Sequence, residues 1–312
     1  MAFKKYDQQQ TFLFPLSLED FIREDSPART INEVVDDLDL SSFIEKYHRR
    51  GPSPYDPRML LKVIFFAYYT GVFSSRVIAS RLESDTTFMY LAGMQQPDFR
   101  TLCRFRTMHM EGIIMAFKDI VRLCMGLGMV GLGNVSFDGS KIKANASGKK
   151  TKNLEAIDKR ITKLLKESQR LDGEEDVVYG EEETPYRMPP HLRDPVERQK
   201  RIKEEVEKLG EAKKRLSESG EKNTNLTDSD ANLMKTRRGV FPAYNGQAAV
   251  DGKNQVILAA RLVRDESDSK QLEPMIREVM NTTGRKPWIT TGDSGYYSLD
   301  NYEFLKRRGC LL

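Results

Sequence analysis

The chain is poor in the residues that build stapled or metal-clasped folds. Its 312 residues include three cysteines and three histidines. Cys103, Cys124 and Cys310 stand apart, and no pair has metal-ligand spacing. That argues against a disulfide framework and a cysteine zinc site, and it fits a reducing compartment. His48, His109 and His191 are equally scattered. Long apolar runs are missing too. The longest, Leu60 to Phe73, is interrupted by Lys62 and is too short to span a bilayer, so no membrane partnership is expected. The opening MAFKKYDQQQ lacks the apolar centre of a secretory leader, which points to the cytoplasm. Nor is there a large excess of one charge. Fifty Lys+Arg against 46 Asp+Glu leave +4, so a polyanion partner must be argued from where the charges lie.

What is present suggests about two domains, on a prior of roughly 150 residues each. Residues 1–130 read as helices. Ser17-Leu18-Glu19-Asp20 has capping-box spacing, with Asp in the place of Glu. Ser26-Pro27 and Asp56-Pro57 are helix starts, the second opening Arg58 to Tyr69. Ser74 or Ser75 caps a short helix to about Leu82, and Asp98 caps Phe99 to Met108. Ile113 to Met125 is a further helix, and the glycines from Gly126 to Gly133 mark the boundary.

Residues 131–312 begin with strand character. In 134–142 Val135 and Phe137 fall on one face, Ser136 and Asp138 on the other. A charged segment at about 150–225 then carries two apolar stripes at heptad spacing. The first is Leu154, Ile157, Ile161, Leu164 and Leu171; the second is Ile202, Val206, Leu209 and Leu216. A helical hairpin with an acidic loop from Asp172 to Pro190 is the economical reading. Sheet character returns in Tyr244 to Val250 and Gln255 to Val263, joined at Asp251-Gly252-Lys253-Asn254. A helix from about Ser269 to Met280 follows, capped by Ser267 or Asp268. Trp288 to Thr291 is a short strand, and Ser298 caps a last helix to Arg307, stopped by Gly309. The fold class is therefore α+β or α/β: a helical front, then a mixed sheet interrupted by a helical hairpin.

Two acids stand at strand ends beside glycine: Asp138 before Gly139, and Asp293 after Gly292. Each alone is a commonplace turn residue. Their order decides more. A strand with Asp, two long strands, a helix, then a strand with Asp allows the crossover to lay the last strand parallel beside the first. The two carboxylates would then project from neighbouring strands and repel unless a cation lies between them. Hard oxygen ligands suit Mg²⁺ or Mn²⁺, and a metal pair there could activate water or a 3′-hydroxyl against a phosphodiester. Asn245 and Gln247 share one strand face beside Tyr244; they either line this site or face solvent. Asp228-Ser229-Asp230 opens like a calcium loop, but Leu233 stands where that loop needs Gly, so calcium is rejected and Asp228 is read as a cap.

At these residues the chain resembles a known family. VSFDGSKIKANAS, TDSDANLMKTRRGVFPAYNGQAAVD, DESDSKQLEPMI and WITTGDSGYYSLDNYEFLKRRG are similar to the core of the DDE transposases of bacterial insertion sequences. The helical front, with DPRMLLKVIFFAYYTGVFSSRVIASRLESDTTFMYLAG, resembles their N-terminal domain. The resemblance implies an RNase H-like catalytic domain over 131–312, with Asp138 as first and Asp293 as second catalytic acid and metal ligand. It implies Mg²⁺ or Mn²⁺, DNA element ends and target DNA as partners, a homo-oligomer on DNA, and nucleoid association. The family's third acid is a Glu on a helix beyond a further strand, where this sequence stops. Glu303 lies in the wrong chain position to replace it. The expectation is thus an incomplete copy of a strand-transfer enzyme; the alternative is a non-catalytic DNA-binding remnant or regulator. Expected DNA contacts rest on charge alone: Lys141, Lys143, Lys149 and Lys150 after the first strand, and Arg100 and Arg104 in the helical front, in a helix-turn-helix or a plain bundle.

Overall fold

The computed structural model describes residues 17–47, 53–179, 193–236 and 239–311. His48, His191 and the 180–190 part of the expected acidic loop lie outside the described residues. The chain divides into two units, Met1–Leu127 and Gly128–Leu312.

The first unit is helical because its caps and apolar periods agree. Ser17 and Asp20 form the capping box of a short 3₁₀ turn, Leu18–Phe21. Helices α1 (Pro27–Asp36), α2 (Ser41–Ile44) and α3 (Pro57–Tyr69) follow. The Ser26 hydroxyl accepts from the Ala28 N–H, and the Asp56 carboxylate from Arg58 N–H, each satisfying a donor that the first turn leaves free. α4 (Ser75–Ser84), α5 (Thr86–Ala92), α6 (Phe99–Met108) and α7 (Met110–Gly126) complete the unit. α5 escaped the sequence reading. Asp85 both ends α4 and caps α5, accepting from Thr87 N–H at 2.9 Å, and Gly93 closes it at φ +54°. α5 also separates α4 from α6, so these two are not consecutive helices of a helix-turn-helix.

The core gathers Val35, Phe43, Leu60, Leu61, Ile64, Ile78, Leu82, Phe88 and Leu102. Burying each side chain of this size is worth roughly 2 kcal/mol. His109 is buried among aromatic rings, stacked on Phe43 and Tyr47. Its Nε2 lies 3.2 Å from the Tyr47 hydroxyl, and its Nδ1 has no hydrogen-bond partner.

The second unit opens with β1 (Asn134–Lys143). β2 (Thr151–Lys152) leads into α8 (Leu154–Tyr179) and α9 (Arg193–Ser219), and β3 (Thr224–Asn225) pairs with β2. The hairpin thus leaves and returns at one place. The Asn225 amide donates to Ser147 O and Thr151 Oγ1 and ties the base shut. α8 continues to Tyr179, beyond the Asp172 start expected for the loop. The seam buries Ile157, Leu164, Leu171, Ile202, Leu209 and Leu216, whereas Leu154 is exposed.

β4 (Asn232–Thr236), β5 (Gly239–Asp251) and β6 (Ile257–Val263) come next, then α10 (Leu272–Thr283), β7 (Ile289–Gly292) and α11 (Leu299–Arg308). The sheet runs β4-β5-β1-β7, with β6 also pairing β5. β5 starts five residues before the expected Tyr244, long enough for its first half to pair β4 and its second half β6. β4 was not expected. The segment after Asp228 is a turn into this strand, and Asp228 accepts from Asp230 N–H and the Tyr244 hydroxyl. Burial and the bond to Asp228 push the Tyr244 hydroxyl up to about 12.

β1 is antiparallel to β5 and parallel to β7. Its start is held by Asp251. That fully buried carboxylate accepts from the backbone N–H groups of Gly131, Leu132 and Lys253. The expected turn aspartate therefore also sews the glycine-rich approach of β1 to the β5–β6 hairpin. Leu311 bonds to Trp288 and Thr290 at the outer edge of β7. Among the described residues no helix is long and apolar enough to cross a membrane.

Burial, with help from Lys46, holds the His109 imidazole below its ordinary pKa. Protonation is then costlier in the folded than in the unfolded chain. This contribution to stability is full above the ordinary value of about 6.5 and is lost as pH falls through it toward the lower folded value. Thermal unfolding of the first unit is expected to drop in midpoint from pH 7.5 to 5.5. His109→Phe, which keeps the stacked ring without a titrating nitrogen, is expected to flatten that dependence.

Candidate active site

β1 alternates faithfully. Val135 and Phe137 are buried, and Ser136 and Asp138 are exposed. Its parallel register with β7 sets Val135 opposite Thr290 and Phe137 opposite Gly292. One residue further on stand Asp138, still within β1, and Asp293, the first residue past β7, where the paired strands run about 4.8 Å apart. The preceding polar pair marks the shared face: the Ser136 and Thr291 hydroxyls are 2.8 Å apart. Asp293 caps a 3₁₀ turn, Ser294–Tyr296, and its Oδ1 accepts from Gly295 N–H at 2.9 Å.

Among the described residues the Asp138 carboxylate has neither hydrogen bond nor ion pair, and Asp293 has no ion pair. Two unneutralised carboxylates in adjacent register favour a cation between them. The donor set fits Mg²⁺ or Mn²⁺, which bind through one or two carboxylates and fill the other positions with water and substrate phosphate. No group of three or more His, Cys, Asp or Glu among the described residues is placed to hold a metal ion. Glu303 sits exposed on α11. Beside Asp293 a pocket of about 400 Å³ is lined by Leu272, Thr290, Tyr296, Tyr297 and Tyr302.

The structure adds Asp268, which sequence reasoning offered as a helix cap. α10 instead begins at Leu272 with no side-chain cap. The Asp268 carboxylate turns back to the sheet. Its Oδ1 accepts from Asn245 Nδ2 at 2.6 Å, Gln247 Nε2 at 2.7 Å and Lys141 Nζ at 3.4 Å. Asn245 and Gln247 are buried, so the solvent-facing alternative for them does not hold. The signal lay in the alternation of β5: Asn245 and Gln247 share the inward register of Ala249 and Asp251, and an amide facing inward needs a polar partner.

The glycines explain themselves here. A Cβ on Gly139 would lie 2.5 Å from Asp268 Oδ1 and 2.6 Å from Gln247 Nε2. One on Gly295 would lie 2.9 Å from Asp293 Oδ1 and 3.4 Å from Asp268 Oδ2. Tyr296 is buried, and its hydroxyl donates to Gln247 Oε1. Burial drives that hydroxyl far above its ordinary pKa, and the charges of Asp268, Asp138 and Asp293 add to the effect. It remains a donor at any physiological pH.

The expected DNA-binding residues differ in their surroundings, and Arg100, like Lys143, lies over an aromatic ring, that of Phe99. Lys141 reaches Glu266 O at 2.6 Å as well as Asp268, and its side chain is only 18% exposed. Lys143 lies over the Phe241 ring. Lys149 and Lys150 are exposed on a 3₁₀ turn, Gly148–Lys150. In the first unit Arg100 and Arg104 are exposed on α6. Arg106 instead bonds to the Tyr68 hydroxyl, Phe73 O and Ser75, and Arg76 covers the Phe99 ring at 3.9 Å.

A helical front and a mixed sheet, with one acid on β1 and the other just past the end of its parallel neighbour β7, define an α+β protein with an RNase H-like domain. A family model described as a transposase domain (DUF772) matches residues 16–108, and one described as a transposase DDE domain matches residues 220–311. No curated protein and no solved structure matches the chain. The chain belongs to the DDE transposases of insertion-sequence type. Membership implies DNA as partner and a divalent metal in the chemistry. Asp268 and Asp293 fall within the matched DDE segment, and Asp138 precedes it.

Gly139→Ala tests the packing of this site. The added methyl must displace Asp268 and Gln247, and the expected loss is about 1–3 kcal/mol, read by urea unfolding.

Proposed function

We propose that this transposase cuts and joins DNA at the ends of its element, with Asp138 and Asp293 as the acids that hold the metal. The parallel register of β1 with β7, which pairs Phe137 with Gly292 directly before the two acids, supports the reading. A bound Mg²⁺ or Mn²⁺ supplies Lewis acidity, making water and then a 3′-hydroxyl nucleophilic and relieving charge on the phosphodiester. The carboxylates of Asp138 and Asp293 would hold that cation, and the reacting phosphate would be oriented through it. Lys149 and Lys150, exposed after β1, neutralise neighbouring phosphates without reading bases. Arg100 and Arg104 on α6 serve the same end in the first unit. Joining two element ends calls for two copies of the chain on DNA, in the nucleoid.

A second reading is DNA binding without cleavage. One observation favours it: the described residues hold no three-member metal-ligand group.

Nicking of DNA carrying element ends, with Mn²⁺, separates the two. Asp138→Asn and Asp293→Asn are each expected to lower the rate roughly a hundredfold or more, as loss of groups that set transition-state charge does. Unchanged nicking in either variant removes that residue from the metal site. Lys149→Ala with Lys150→Ala is expected to weaken binding on all sequences and to flatten the salt dependence, by about 0.9 in log–log slope per lost phosphate contact.

A further inference from the structure

We propose that Asp268 is a positioning residue of this site, setting the mutual register of the Asp138 strand and the Asp293 turn through Gln247 and Tyr296; this rests on the reading of Asp138 and Asp293 as the reacting acids. One oxygen does the holding. Asp268 Oδ1 collects Asn245, Gln247 and Lys141, which come from both β5 and β1. Gln247 then accepts from the Tyr296 hydroxyl, and Tyr296 N–H bonds to Asp293 O at 3.2 Å. From the other side, Asn301 Nδ2 donates to Tyr296 O and to Ser269 O, both at 2.6 Å. The turn is therefore gripped between the segment that carries Asp268 and α11.

The backbone has been shaped around this carboxylate. Gly139, directly after Asp138, and Gly295, two residues after Asp293, are the places where a Cβ would meet Asp268. Both acids thus sit within two residues of a glycine whose missing side chain leaves room for Asp268. A carboxylate only 16% exposed is costly to desolvate, and three donors on one oxygen offset that cost. Asn245 shows the demand from the other end. It spends its two N–H bonds on Asp265 O and Asp268 while its own buried Oδ1 goes unpartnered. An arrangement that leaves one acceptor unsatisfied to hold another residue's carboxylate is organised around position.

The test uses the full chain, with hydrogen exchange and Mn²⁺-supported nicking read together. Asp268→Ala is expected to speed amide exchange across 293–301 and 138–141 by about tenfold, leaving α8 and α9 unchanged. It is expected to lower kcat by about ten- to a hundredfold, the range for outer partners of metal-binding groups, with KM for DNA nearly constant. Tyr296→Phe removes one hydroxyl from an otherwise intact core. It is expected to loosen 293–301 alone, and it decides the matter if Asp268→Ala does not fold. Exchange over 293–301 that stays at the wild-type rate in Asp268→Ala, or in Tyr296→Phe should the former not fold, overturns the proposal. So does a kcat within twofold of wild type in a folded Asp268→Ala. A wild-type chain that never nicks defeats the nuclease reading by itself, while the exchange rates still decide whether Asp268 positions the turn.

Discussion

Parallel pairing between β1 and β7 is the constraint on which the second unit depends. Parallel strands cannot be joined by a tight turn, so the chain must cross over between them. It does so by way of α10, which packs on β5 and β6 before the chain reaches β7. The reward is positional. Phe137 and Gly292, each directly before one of the acids, become register partners although about 150 positions separate them in the chain. Much of the surrounding structure protects that register. The buried Asp251 carboxylate fixes the entry to β1, and the β2–β3 pair returns the long insertion to its point of departure.

Close to the acids the interior changes character. Phe137, Ala249, Leu258 and Met275 are buried apolar residues of the sheet and of α10. At the level of Gly139 that packing gives way to Gln247, Asn245, Asp268 and the Tyr296 hydroxyl. Such a network contributes less to stability than well-packed hydrocarbon of the same volume. Its directionality is its value, because hydrogen bonds specify an angle and a distance where apolar contacts tolerate sliding. A polar layer directly behind two carboxylates holds their backbone still while leaving their side chains open to solvent.

Charge is distributed by role. The hairpin of α8 and α9 is rich in Lys, Arg and Glu, yet many of those groups pair across the helices, as Arg160 does with Glu205 and Lys213 with Asp158. Exposed pairs of this kind add little stability, so the six buried side chains of the seam hold the hairpin together. Lys141 is spent on the interior, whereas Lys149 and Lys150 are left at the surface. A net charge of +4 conceals this division, because bulk composition counts a pinned lysine and a free one alike.

Periodicity and caps were enough for most elements. Asp56-Pro57, Asp98 and Ser298 began helices where expected, and the heptad stripes of α8 and α9 became their buried seam. These signals are local, and the physics that reads them acts within a turn or two of the chain. Short elements between stronger ones were harder: α5 hid behind an aspartate that serves two helices, and β4 exists only because β5 is long enough to pair it. The two acids could be suspected from their strand ends and the order of elements. The role of Asp268 could not. In the sequence Ser267-Asp268 looks like a helix start; α10 begins four residues later, and the carboxylate meets amides about twenty positions away. Helix, strand and turn follow from neighbours along the chain, so the sequence by itself determined them. Which buried donors a carboxylate finds depends on how the strands stack, and tertiary structure alone decided that.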